Sequence, residues 1–556
     1  MKKLYQVVLF VLLCGLLPLV ANAQSFRVQC PTSTITHPTS ANNNSEPSYV
    51  GPTYTGTSGY PSAPTNVNGA IKCQQISGGD GYSTMGDGTQ TYMFSFGPLS
   101  GLADIANGKP GTQFPKDFNT VYPGTFVPGS PAETATLHAP SSGASLPFAG
   151  FTYNGAVGLA SDLDSIASGN CTAPCLNGHV DPRPIIDVGV MNGNIPAPLF
   201  AIDEDDEFFL TLTNVGMIMR PDLFEQHTVH FHGYPNASTF YDGVPDASVA
   251  INIGGSFTYY YLAPDAGTYF WHCHITPPEH LQMGMVGQIY VRPRQDRVTA
   301  GNPLYASLVT QQNDLRTACR RPGDGGTTAV TTVPDILCSN PVPAVNTGSN
   351  AVANVVNGPA GTTGGYAYND GDGSTYYNVE YAIQIHGFDP NFHFVGMTFN
   401  PEEFADMKDK YFLLNGRSYP DTVTPGPLAT QASDGKMHFS QPLPSIINIP
   451  AGGKALLRIS DLDVTEYQTL ASLGIPMTVI GYNAKLLRDQ AGNNLYYTTN
   501  SITLAGGESL DVILDATDTG KYPSGSVFYL YTPNLDHLSN DAENFGGLMT
   551  EVRIIN

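Results

Sequence analysis

Cys273, His280 and Met285 fall in one short run, separated by seven and five positions. A thiolate, neutral imidazoles and a weak thioether are the donors of a mononuclear copper centre that passes single electrons. Their closeness suits a strand end and the loop after it. A second imidazole must then come from a distant strand, and His227 is the candidate; Met283 is the alternative thioether. Four more histidines surround this set: His230 and His232 follow His227, and His272 and His274 flank Cys273. Side chains alternate along an extended strand, so Cys273 projects to one face and His272 and His274 to the other. One strand can thus serve two neighbouring metal sites.

The cysteine count points the same way. Of eight cysteines, Cys14 lies in a leader-like start: Lys2 and Lys3, an apolar run from Val7 to Val20, then Ala21-Asn22-Ala23. That order predicts a cleavable signal peptide over 1–23 and a secreted or periplasmic protein. The mature chain keeps seven cysteines, and an odd number in an oxidising compartment leaves one thiol over. Cys30 and Cys73, Cys171 and Cys175, and Cys319 and Cys338 are sequence-local couples, and Cys273 has no nearby mate. The net charge of −23 argues against a nucleic-acid partner.

Abundant Gly (59) and Pro (44), short alternating runs and scarce helical periodicity predict an all-β chain. Residues 24–85 read as an irregular Ser/Thr/Pro/Gly-rich arm. A copper-bearing domain follows over 86–295, interrupted by an insertion at about 104–184; 296–375 reads as a linker and 376–556 as a second strand-rich domain. The two strand-rich blocks look like copies of one unit. Asn192–Pro196 answers Asn415–Pro420, and Phe208–Asn214 answers Ala455–Ser460. His227–Gly233 lines up with Gln468–Gly474, and Gly267–His274 with Gly525–Thr532. The alternation fits Greek-key sandwiches of two sheets.

His227-x-x-His230-x-His232-Gly233, together with His272-Cys273-His274 and His280-x-x-x-Gly284-Met285, resembles the ligand motifs of multicopper oxidases. Asn192-Gly-x-x-Pro196, Asp242-Gly-Val-Pro245 and Gly267-Thr-Tyr269 are similar to further family segments. The resemblance covers 185–295 strongly and 376–556 more loosely, and it implies two cupredoxin-like domains. It assigns His227, Cys273, His280 and Met285 to a mononuclear type 1 copper. It assigns His230, His232, His272 and His274 to half of a trinuclear oxygen-reducing cluster, with Cys273, His272 and His274 linking the two centres.

The pattern departs from the family in one respect. The usual cluster takes eight histidines, four from each of two copper domains, and this chain offers four. Gln468, Ala471 and Leu473 stand where the second block would carry the first motif, and Leu530, Tyr531 and Thr532 where it would carry His-Cys-His. Either a second copy completes the cluster in a homo-oligomer, or the protein is a blue-copper electron carrier; a reductase resembling copper nitrite reductases is the third reading. The longer loop Thr276-Pro-Pro-Glu279 resembles that of metal-oxidising relatives, which implies a metal ion as electron donor beside a phenol or a redox protein. His386, His393, His438 and His537 are scattered and read as surface or hydrogen-bonding residues. Asp203–Glu207 reads as a solvated turn, Asp242 as a turn residue or a proton-delivering group, and Met217 and Met219 as core fillers.

Overall fold

The computed structural model describes residues 29–34, 37, 39–47, 69–101, 104–105, 109–119, 191–217, 219–233, 238–263, 265–312, 355–358, 364–396, 404–431, 437–489 and 492–556. The signal-peptide segment, most of the insertion, Cys171, Cys175, Cys319 and Cys338 lie outside them. The architecture is all-β.

The first domain is a sandwich of two four-stranded sheets. One sheet has the order β2-β1-β4-β6: β1 is Ile71–Thr84, β2 Gln90–Pro98, β4 Glu207–Gly216 and β6 Ser256–Leu262. The other has the order β3-β8-β7-β5: β3 is Phe200–Asp203, β5 His230–Phe231, β7 Gly267–His272 and β8 Val286–Arg292. Period-two alternation divides β4 cleanly. Phe208, Leu210 and Leu212 enter the core between the sheets, while Phe209 turns outward onto Cys30, Cys73 and Phe118. Thr211 and Thr213 bond to Thr258 (2.9 Å) and Ser256 (2.7 Å) across the ladder to β6.

Ile71–Thr84 corrects the expected irregular arm over 24–85. It is a 14-residue strand that pairs in parallel with β4 and antiparallel with β2. Its Gly78-Gly79-Asp80-Gly81 run and polar residues disguise it, because both faces are covered and the apolar alternation is lost. The Cys30–Cys73 disulfide ties the preceding segment to it. The expected linker at 296–375 also carries structure: a helix at Leu304–Gln312 and a two-stranded sheet of Gly365–Tyr366 and Tyr376–Tyr377.

The second domain repeats the first. Val379–Phe388 pairs in parallel with Lys454–Asp461 as β1 does with β4, and Ile447–Pro450 pairs in parallel with Met549–Ile555 as β3 does with β8. Gln468–Leu473 pairs with Val527–Tyr531 as β5 does with β7. Ile195–Pro196 and Tyr419–Pro420, in the matched segments, are both cis. The outward face of β7 and β8 packs on the second domain. Thr268 donates to Asp511 at 2.6 Å, Gln288 donates to the Arg458 carbonyl at 2.9 Å, and the Arg458 guanidinium stands 4.6 Å above the Tyr290 ring.

The acidic run Asp203–Glu207 is not a solvated turn. Asp203, Glu204, Asp206 and Glu207 are buried. Lys72 lies 3.4 Å from Asp203 and 3.2 Å from Asp206, and Arg294 and Arg297 pair with Asp205 at 2.6 and 2.9 Å. These cations come from positions remote in sequence, so nothing local announced the burial. Met217 is a core residue as expected, whereas Met219 is exposed.

Candidate metal centre

The core side of β7 carries Tyr269 and Trp271, with Cys273 just past its end on the same side, and its outward side carries Thr268, Phe270 and His272. Trp271 is stacked on Phe200 with ring centroids 4.5 Å apart, and Gly287 faces it across the ladder. A β-carbon at Gly287 would stand 2.9 Å from the indole. This packing sets the strand two residues before the thiol.

At the strand end the structure brings together His227, Cys273 and His280, whose ligand atoms all lie within 4.8 Å of one another. All three residues are buried. His280 Nδ1 lies 3.4 Å and His227 Nδ1 4.0 Å from Cys273 Sγ. An ion bound at about 2.0–2.3 Å from each donor would hold them about 3.5–3.8 Å apart, so the separations fit a shared metal. Three buried donors, one thiolate-forming and two imidazole, fit copper in type and number. Met285 and Met283 are both buried here. Met285 is tied to both neighbours through its backbone: its carbonyl accepts from the Cys273 amide (3.0 Å) and its amide donates to the His280 carbonyl (2.9 Å).

Several residues that sequence reasoning missed complete this centre. The Thr228 amide donates to Cys273 Sγ at 3.5 Å, and its hydroxyl accepts from the His274 amide at 3.0 Å. Glu225 Oε2 stands 3.7 Å from His280 Nε2. Burial disfavours the imidazolium of His280, but the Cys273 sulfur and Glu225 outweigh it and push its pKa up to about 9. His227 is held well below the usual range by burial and then by His280. Gly78, on β1, lies against the His227 ring.

The other four histidines gather on the opposite face of the same strand. His230 and His272 are cross-strand partners, and His232 takes its place as its amide donates to the Phe270 carbonyl at 2.8 Å. His232 Nε2 and His272 Nε2 are 2.9 Å apart. The His274 ring centroid lies 5.3 Å from that of His230 and 5.5 Å from that of His272. His230 Nδ1 bonds the Asp242 carbonyl and His272 Nδ1 the Cys273 carbonyl, each at 2.7 Å, which turns both Nε2 atoms toward the group. Asp242 thus contributes its backbone oxygen, and its carboxylate stands 3.5 Å from the same His230 nitrogen. Burial and then the neighbouring imidazoles lower His232 to about 4; burial and His232 lower His272 to about 3. Both are neutral near pH 7, the form that ligates a metal.

A cavity of about 400 Å³ opens beside His232 and His272, walled on its far side by Asp463–Tyr467 and Ala505–Gly507 of the second domain. No histidine of that domain lines it. His386, His393, His438 and His537 are buried elsewhere, with hydrogen bonds or ring contacts.

The family profile described as Multicopper oxidase matches residues 178–296, the segment that holds His227, His230, His232, His272, His274, His280 and Cys273. Over residues 178–296 the chain is therefore similar to a multicopper oxidase domain. Copper is the cofactor such a domain holds. A laccase of Aspergillus fumigatus is 34% identical to the chain over 109 residues, 19% of this chain and 17% of that one. A multicopper oxidase of Mycobacterium tuberculosis is 32% identical over 133 residues, 22% of this chain and 25% of that one. A copper-containing nitrite reductase of Rhizobium meliloti is 34% identical over 109 residues, 19% and 26% of the two chains. The chain spans about a fifth of the length of the first of these curated relatives. A blue copper oxidase structure from Nitrosomonas europaea aligns at a TM-score of 0.39 and 19% identity, covering 65% of this chain and 78% of that chain.

Proposed function

We propose that the chain is a copper-dependent oxidoreductase of multicopper-oxidase type, exported from the cell. It takes single electrons from a reduced small molecule or metal ion and delivers them to oxygen at a cluster that a second copy completes. The observation that carries this reading is the two-sided strand end. Cys273 faces a buried pair of imidazoles, and His272, one peptide bond away, faces the other histidines. Copper supplies reversible one-electron chemistry when bound.

The protein's residues do the rest. His227, Cys273 and His280 would hold one copper, with Met285 or Met283 as the weak axial donor, in a pocket closed to water by Trp271, Phe94 and Phe96. His230, His232, His272 and His274 would hold further copper, their rings oriented by the Asp242 and Cys273 carbonyls. The covalent path Cys273–His272 joins the two sites through the backbone, and the adjacent cavity gives a small oxidant room. Among the described residues no helix is long and apolar enough to cross a membrane.

One observation favours a second reading, an electron carrier without oxidase activity. The second domain lends the cavity no histidine, so one chain holds half a cluster. Copper stoichiometry with electron paramagnetic resonance, followed by oxygen uptake with a generic donor, separates the two. More than one copper per chain, with oxygen consumed by an oligomer, supports the oxidase. One copper per chain and no oxygen uptake overturns it in favour of the carrier.

A further inference from the structure

We propose that the second domain, which has no metal site of its own among the described residues, acts as a clamp on the copper-ligand helix, and that Gln282 is the positioning residue it grips. The proposal rests on the copper reading of Cys273, His227 and His280 and adds a role for the bare domain. His280 sits in the short helix Pro277–Gln282. Six residues make less than two turns, too few for a helix to keep its place by its own hydrogen bonds. Its position must come from what it touches.

Gln282 is fully buried, and the second domain meets its polar groups from several directions. Its side-chain amide donates to Asp409 Oδ1 at 2.6 Å. Its side-chain oxygen accepts from His393 Nε2 at 2.7 Å and from the Asp389 amide at 3.2 Å. Its main-chain carbonyl accepts from His386 Nε2 at 3.0 Å. The grips are themselves held. The His393 ring is stacked on Phe388 (5.1 Å, 11°), Asp409 accepts from the Thr465 hydroxyl, and Asp389 accepts from the Lys408 amide at 2.7 Å. Burial keeps His386 and His393 neutral, the form in which one ring nitrogen donates and the other is bare.

Gln282 lies two positions after His280 in the same helix, so a shift of the one rotates the other about the helix axis. Met285, three positions after Gln282, ties the ligand loop to its own domain through backbone bonds with Cys273 and His280. His280 is therefore held by two anchors, Met285 within its own domain and Gln282 against the second. Copper centres of this kind respond to small changes in ligand geometry, so the clamp sets the properties of the metal from a domain that never touches it.

The test uses the full mature chain with Gln282→Ala, His393→Leu and His393→Gln. In metal-free protein, amide exchange across 277–285 is expected to quicken by about tenfold in Gln282→Ala and His393→Leu, as expected for losing buried hydrogen bonds. It should return toward wild type in His393→Gln, whose amide can again donate. In copper-loaded protein the same two variants should shift the thiolate-to-copper absorption and the reduction potential at unchanged copper content. A lowered melting temperature with loop exchange, spectrum and potential all at wild-type values would overturn the clamp. Should Gln282→Ala fail to fold, the Leu and Gln variants at His393 decide the question alone. A wild-type chain without a thiolate-to-copper band would defeat the copper reading, while metal-free exchange would still judge the clamp.

Discussion

The Cα of Gly78 lies directly against the imidazole of His227: a β-carbon built on Gly78 would stand 2.6 Å from Cδ2 of that ring. The glycine occupies a break in register between β1 and β4, where the strand brings its backbone up to the metal centre. Gly78→Ala should displace His227, cost about 1–3 kcal/mol by overpacking, and lower copper occupancy of the Cys273 centre. Copper analysis beside a denaturant titration checks this; full occupancy with an unshifted absorption band would refute it.

Cys273→Ser removes the thiolate and keeps the volume. The intense thiolate-to-copper absorption should vanish, while copper held by His230, His232, His272 and His274 remains. A persistent blue colour would mean that the thiol is not the ligand.

His272→Ala separates the two centres from the other side. Its Nε2 lies 2.9 Å from that of His232, so the second histidine group loses a donor while Cys273 keeps its three-residue set. Copper per chain and oxygen uptake should both fall, with the thiolate band retained. Loss of the thiolate band instead would show that the two sites are not separable.

Lys72 is buried among Asp203, Asp206 and Glu46. Burial disfavours its charge, but Asp203, Asp206 and Glu46 outweigh that and raise its pKa. Lys72→Met leaves buried Asp206 without a cation and Asp203 with only Arg292 at 3.8 Å, and removal of one partner of a buried pair costs about 3–5 kcal/mol. A chemical denaturation midpoint close to wild type would contradict this.

His393 makes metal-free stability depend on pH. Burial, and then His386, hold its pKa at about 3, against an ordinary 6.5. Facing it are Gln282, the rings of Phe388 and Phe392, and His386. Above about pH 6.5 neither folded nor unfolded chain protonates this ring. Between about 6.5 and 3 the unfolded chain binds the proton and the folded one refuses it, so stability falls as pH falls. The slope from this residue is about 1.4 kcal/mol per pH unit. His393→Gln should flatten that limb in urea titrations of metal-free protein, and an unchanged slope would refute the assignment.

The candidate metal residues were legible in the sequence because their chemistry is local. Cys273, His280 and Met285 share one strand end, and alternation by itself assigns His272 and the thiol to opposite faces. The repeat of two strand-rich blocks was visible for the same reason, since each strand writes its own period-two pattern. Tertiary structure alone decided the rest. β1 is flanked on both sides, so its residues lost the alternation that marks a strand, and Gly78 acquired meaning only once β4 brought His227 over it. The acidic run Asp203–Glu207 reads as solvated until Lys72, Arg294 and Arg297 arrive from distant positions to neutralise it. Gln282 is an unremarkable amide in the chain, and its four hydrogen bonds exist because another domain folds against it. Short-range spacing encodes which donors can share an ion; long-range packing determines what holds those donors still.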